Sequence, residues 1–150
     1  MKIRYLAPLA IAIALAGCQQ NVATSNVVKV EQADVTASNP FFSEYDTPHG
    51  IPPFDEIKKS HYLPAFYHGI EQNKLEINAI TRAKSRPTFE NTIVAMEKSG
   101  DFLTKVSNTF YGLIGSMSDD EMRAIAKEIS PKLSALGDDI ALNDALFMRV

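Results

Sequence analysis

From Pro64 onward, apolar residues recur every three or four positions, the spacing of one face of a helix. Pro64 is placed as the first residue of a helix that runs to about Arg82. Phe66, Ile70, Ile77 and Ile80 form its stripe, and Glu71, Lys74 and Asn78 lie off it. Arg86-Pro87 breaks the chain. Thr88 then reads as an N-cap, and Phe89, Ile93 and Met96 share a face behind it. Ser99-Gly100-Asp101 is a stop or a kink, after which Phe102, Val106, Phe110 and Leu113 repeat up to Gly115. Ser118-Asp119-Asp120-Glu121 has the form of a capping box, in which the Ser118 hydroxyl and Glu121 each satisfy a backbone donor. Met122, Ile125, Ile129, Leu133, Leu136 and Ile140 follow in the clearest amphipathic pattern of the chain. Pro131 lies inside that pattern and should kink the helix or split it in two. No segment alternates with period two. The predicted fold class is all-α, with antiparallel neighbours joined by short loops.

Residues 40–64 read differently. Pro40, Pro48, Gly50, Pro52 and Pro53 make an extended, turn-rich segment, and Asn39-Pro40-Phe41-Phe42 starts the ordered region. Phe41, Phe42, Tyr45 and Phe54 are expected to clamp it onto the helices behind. Pro53 can open a short helix over Asp55 to His61, with acids in its first turn.

The first 38 residues form a third pattern. Met1-Lys2-Ile3-Arg4 is a basic start, and Tyr5 to Ala16 is apolar and uncharged. The run is short of the roughly 20 residues a bilayer span needs, and fits a cleaved signal peptide over residues 1–17. Leu15-Ala16-Gly17-Cys18 resembles a bacterial lipobox at all four positions. A cysteine fallen by chance near a cleavage site is the plain alternative. The lipobox implies cleavage before Cys18, lipid on its sulfur and an acylated amino terminus, enough chains for stable anchoring. Gln19, not an acid, follows, and the sorting rule for such proteins then favours the outer membrane, facing the periplasm. Residues 18–38 carry no aromatic and read as a disordered tether, although Val27, Val28 and Val30 could form a brief strand.

Charge removes one class of partner. The formal charge is −3, and loss of Lys2 and Arg4 with the signal makes the rest more acidic still. No Lys/Arg cluster is long enough for a nucleic-acid footprint. Cys18 is the only cysteine, so no intramolecular disulfide forms. Catalytic patterns are missing as well. His61 and His68 are seven residues apart, about 10.5 Å along a helix, too far for a shared ion, and His49 stands alone. There is no His-Glu-x-x-His, no Cys-x-x-Cys and no phosphate-binding glycine loop. No nucleophile elbow surrounds a serine; Gly112-Leu113-Ile114-Gly115-Ser116 reads as a helix end. Asp119, Asp120 and Glu121 read as a helix start, and Asp138 and Asp139 as a solvated face. No catalytic or metal-binding residue is assigned, and the one modification site is Cys18.

Asn39-Pro40-Phe41-Phe42, Ile51-Pro52-Pro53-Phe54-Asp55-Glu56-Ile57 and His61-Tyr62-Leu63-Pro64-Ala65-Phe66 are similar to the start of the thimet-oligopeptidase-like metallopeptidases. Arg86-Pro87-Thr88-Phe89-Glu90-Asn91-Thr92-Ile93-Val94-Ala95-Met96-Glu97 resembles the same family more sharply. Pro131-Lys132-Leu133-Ser134 and Leu142-Asn143-Asp144-Ala145-Leu146-Phe147 extend the likeness through residues 39–150. The bacterial peptidyl-dipeptidase branch is the most similar.

The resemblance implies a large helical ellipsoid split by a deep channel that admits short peptides. Residues 39–150 would supply N-terminal helices to one wall. It implies a zinc ion, held beyond Val150 by His-Glu-x-x-His and a downstream glutamate, and the release of dipeptides from peptide C-termini. The chain would then be the incomplete N-terminal portion of an exported, lipid-anchored zinc peptidase. Residues 39–150 alone would be helical, bind no zinc and cleave no peptide. A stand-alone helical envelope lipoprotein that binds or scaffolds a partner is the alternative, and a truncated, poorly folding product a third reading.

Overall fold

Two features hold the first long helix in place: a stripe of apolar residues on one side, and glycine at the points of closest approach. The structure, a computed structural model, describes residues 38–150. The signal peptide, Cys18, Val27, Val28, Val30 and all but the last residue of the tether lie outside the described residues.

Helix α1 spans Tyr62–Arg82. A π-helical turn, Phe89–Val94, passes into the short α2, Ala95–Glu97. Helix α3 covers Asp101–Ile114, α4 covers Asp120–Ala141 and α5 covers Asp144–Phe147. Three 3-10 turns precede α1, at Pro40–Phe42, Pro48–Gly50 and Lys59–His61. No strand occurs among the described residues, so the all-α fold class holds. None of their helices is long and apolar enough to cross a membrane.

Helix α1 is the hub. Its predicted stripe, Phe66, Ile70, Ile77 and Ile80, is buried, and Tyr62, Ala65 and Asn73 complete it. One end packs with Phe41, Val106, Phe110, Met122, Ile125 and Ile129 in the main core. Phe110 meets Tyr62 and Phe66 edge-on, with ring centroids 5.0 and 5.4 Å apart. Full burial of each such side chain contributes roughly 1.5–3 kcal/mol. At the other end, Ile77 and Ile80 form a smaller core with Leu146 of α5.

Helices α1 and α3 run close because Gly69 lacks a side chain. A Cβ there would stand 3.1 Å from Leu103. The reversal into α3 needs Gly100, whose φ of +78° is left-handed. The Gly100 N–H donates to Glu76 Oε2 at 2.7 Å, and Gln72 Nε2 steadies the other oxygen at 2.9 Å. Sequence, turn and helix pairing are thus one device.

Several expectations are corrected. Pro53 does not open a helix over Asp55–His61: a turn at residues 54–56 gives way to extended chain and then the 3-10 turn. Phe41 is fully buried and Phe42 and Tyr45 pack on the core, but Phe54 is 48% exposed and clamps nothing. Pro64 is the third residue of α1, not the first. Thr88 caps as expected, yet Phe89 is exposed and Thr92 is the buried side chain. The wider π turn carries Phe89 off the face it would share with Ile93 and Met96 in an α-helix. The cap of α4 is Asp119, accepting from the Met122 N–H at 3.0 Å, rather than Ser118. Pro131 does not split the helix, which runs unbroken from Asp120 to Ala141.

Two substitutions test this account by urea unfolding. Gly100→Ala places a Cβ 2.3 Å from Asn73 Nδ2 at a left-handed position, and should cost about 2–3 kcal/mol. Pro131→Ala restores a missing helical N–H at an exposed site, and should stabilise by about 1–3 kcal/mol. A Pro131→Ala variant no more stable than the parent would show that the proline sits in a bend the helix needs.

Candidate functional site

The segment ahead of α1 is fastened by polar side chains on backbone groups. Asn39 is buried; its Nδ2 donates to the His61 carbonyl at 2.9 Å and its Oδ1 accepts from the Phe41 N–H at 3.1 Å. Lys105 of α3 reaches back, donating to the Phe41 and Ser43 carbonyls at 3.0 and 2.9 Å. Its ammonium also lies 4.0 Å from the Tyr45 ring centroid. Burial holds the Lys105 ammonium below the usual lysine range and pushes the Tyr45 hydroxyl up to about 12. No periodic signal marks Lys105 or Asn39, and sequence reasoning missed both.

The second polar cluster lies in the family-like segment. The Thr88 N–H donates to Asn91 Oδ1 at 2.9 Å while the Asn91 N–H donates to Thr88 Oγ1 at 3.1 Å. Asn91 Nδ2 donates to the Arg86 carbonyl at 3.0 Å, and the Thr92 hydroxyl donates to Asn91 Oδ1 at 3.0 Å. Arg149 donates to the Ala83 carbonyl at 2.9 Å and to Asn91 Oδ1 at 3.4 Å, tying the segment after α5 to the α1–α2 loop. Asn91 therefore joins three parts of the chain. The Thr88 cap was legible; the Asn91 hub was not.

Shallow clefts line the seam between α1 and α4. A central one of about 260 Å³ lies between Tyr67, Ile70 and Lys74 of α1 and Lys132, Leu136 and Asp139 of α4. Lys74, Leu136 and Asp139 also border the next, of about 210 Å³, which reaches Ile140 and Asn143. Beyond the Tyr67–Glu128 hydrogen bond, Lys59 and Leu63 face Ile125 and Glu128 across a third of about 250 Å³. Lys59 pairs there with Asp119 and, at 3.2 Å, with Glu121. The floor is apolar and the rim charged with both signs. Such a surface offers contact area framed by charge, with the Tyr67 hydroxyl donating to the Glu128 carboxylate.

The candidate residues from the sequence do not converge. His49 is exposed at a φ of 61° in its turn. The His61 side chain is buried and its Nδ1 accepts from the Lys58 N–H at 3.1 Å. His68 is exposed and sits edge-on to Phe42 and Phe102, at 5.0 and 5.1 Å. Asp119 caps α4, and Asp138 and Asp139 face solvent. Among the described residues no group of three or more His, Cys, Asp or Glu side chains is placed to hold a metal ion, so these residues do not fit a zinc site.

No family model matches the chain. It is 40% identical over 114 residues to the dipeptidyl carboxypeptidase of Salmonella typhimurium, and 40% identical over 116 residues to that of Escherichia coli. The chain is related to the bacterial dipeptidyl carboxypeptidases. The matched stretches are 76% and 77% of this chain but 17% of either relative. The chain thus spans about a sixth of the length of the dipeptidyl carboxypeptidases it matches. Their name agrees with the peptidyl-dipeptidase branch whose likeness runs through Arg86–Glu97.

The Asn91 hub gives a direct test. Asn91→Ala removes the reciprocal cap and the Arg149 acceptor, and should cost about 1–2 kcal/mol in thermal or urea unfolding. Asn91→Asp keeps an acceptor for Thr88 and Arg149 and should recover at least half of that loss. Equal destabilisation by both would assign the hub's contribution to the Nδ2 donors instead.

Proposed function

We propose that the chain is part of an exported zinc peptidase that releases dipeptides from the C-termini of short peptides. The observation that carries this reading is the 40% identity to two proteins named dipeptidyl carboxypeptidase. Residues 38–150 are proposed to be a helical wall element and not the catalytic centre. Two features support this: the side chains described hold no ligand set for zinc, and α1 and α4 leave an apolar-floored seam facing outward. In this reading the ion is held by residues outside the described stretch.

The address is part of the same proposal. Residues 1–17 are a signal peptide, Cys18 carries the lipid, and residues 18–38 tether the helical part to the periplasmic face of the outer membrane. Support comes from the basic start, the apolar run and Leu15-Ala16-Gly17-Cys18.

The native product, extracted with detergent from its own membranes, tests both halves. Its intact mass should be several-fold above the 16.5 kDa of this chain and include acyl chains. Incubated with an N-acetylated heptapeptide, it should release the C-terminal dipeptide, and a chelator should abolish the release. A mass matching residues 18–150 plus acyl chains, with no dipeptide released, would instead establish a stand-alone helical envelope lipoprotein. Cys18→Ser should move the product out of the membrane fraction; unchanged partitioning would remove the lipid anchor from the account.

A further inference from the structure

Both ends of the strap, residues 39–58, are hydrogen-bonded to one residue, His61, immediately ahead of α1. Its carbonyl accepts from Asn39 Nδ2 at 2.9 Å, which holds the start of the strap. Its Nδ1 accepts from the Lys58 N–H at 3.1 Å, while its own N–H donates to the Lys58 carbonyl at 2.9 Å, which closes the end. Asn39 in turn accepts from the Phe41 N–H, and Phe41 is fully buried against Tyr62, with ring centroids 5.4 Å apart. An acceptor at Nδ1 requires the neutral imidazole, with its proton on Nε2.

We propose that His61 is an acid-sensitive latch on the turn that joins the strap to α1: the neutral ring closes the Lys58–His61 turn, and a proton on Nδ1 opens it. With that proton the ring presents a donor to the Lys58 N–H, so the closing hydrogen bond is replaced by two facing donors. The electrostatic surroundings reinforce the geometry. Burial pushes the ring below the usual histidine range, and the positive charge of Lys58 pushes it further the same way. The acids at the start of α4, Asp119 and Glu121, are engaged by Lys59. Asn39 binds the His61 carbonyl and the Lys58 N–H its ring nitrogen, and neither residue carries a carboxylate to hold a proton on the ring.

The sign follows from which form binds the proton. The open turn leaves His61 at its ordinary value near 6.5, and the closed turn holds it lower. The open form therefore binds more protons as pH falls through 6.5. Closure is fully favoured above 6.5 and weakens below it, until the closed form is protonated as well. One proton is involved, so the opening equilibrium rises by at most about tenfold per pH unit in that window. Lys105 and the buried Phe41 still bear on the strap, so the released state is a local opening, not global unfolding.

Amide hydrogen exchange on the whole chain between pH 7.5 and 5, corrected for intrinsic rate, tests the latch. Exchange at Lys58 and His61 should accelerate by up to about tenfold per unit below 6.5, while Val106 and Ile129 in the bundle keep their protection. The His61 ring, followed by nitrogen NMR, should show the Nε2–H tautomer and titrate below 6.5. His61→Gln offers Lys58 an amide oxygen that does not titrate, and exchange at its turn should be flat across the range. Turn and bundle amides loosening together, a ring that titrates at the ordinary value, or a pH-dependent turn in His61→Gln would each overturn the proposal. Should the glutamine variant not fold, the ring titration and wild-type exchange profile decide it alone.

Discussion

The approach of α1 to α3 at Gly69 and Leu103 is the constraint on which the other placements rest. Helix axes that close leave room for one side chain, not two, and Leu103 takes it. Once that contact is set, Val106 and Phe110 fall opposite Phe66 and Tyr62, and the aromatic core follows from helical periodicity. The sharp return that makes the contact possible is the left-handed Gly100, held by Glu76 of the helix it returns to. Because Asn73 occupies the space where a side chain at residue 100 would go, turn and core are not separable parts.

Around this apolar centre the peripheral segments are attached by a different kind of force. Asn39, Lys105 and Asn91 each bind backbone carbonyls or N–H groups of chain that has no regular ladder of its own. The loops need such partners because their backbone groups are left without helical ones. The consequence is a gradient of stability. The helices rest chiefly on buried area; the strap adds a few hydrogen bonds to the buried Phe41, and the α1–α2 loop depends on such bonds, worth about 0.5–1.5 kcal/mol each. A single change of protonation can therefore matter in the strap and be lost in the core.

This division also sets how much was legible in the sequence. Period 3.6 located α1, α3 and α4, because burial of a stripe is a property of local spacing. Arg86-Pro87 and Gly100 marked the breaks, since their backbone limits are intrinsic. What failed was whatever depends on residues distant in the chain. Phe54 has the side chain of an anchor, but the turn at residues 54–56 leaves it nearly half exposed. The Phe89, Ile93 and Met96 face assumed an α-helical register that the π turn does not keep, and Thr92 points inward instead. Asp119 displaced Ser118 as the cap of α4; its carboxylate also meets Lys59, a residue sixty positions away that no local motif reveals. What points to a peptidase is the likeness to proteins of that name, because the described side chains form no cluster of metal ligands from which a reaction could be argued.

The two outward-facing polar arrangements divide along the same line. Along the α1–α4 seam some rim charges pair, Lys59 with Asp119 and Glu121, and Lys74 with Glu71 at 3.1 Å, while Lys132 lies over the Tyr67 ring. Exposed pairs of this kind contribute little to stability and leave the apolar floor between them uncovered. At the strap, by contrast, Asn39 and His61 are buried and hold backbone groups. A strap held by buried hydrogen bonds is specific in geometry and sensitive to a proton. That sensitivity belongs to this chain's own arrangement of Asn39, Lys58 and His61, which sits at the turn leading into α1.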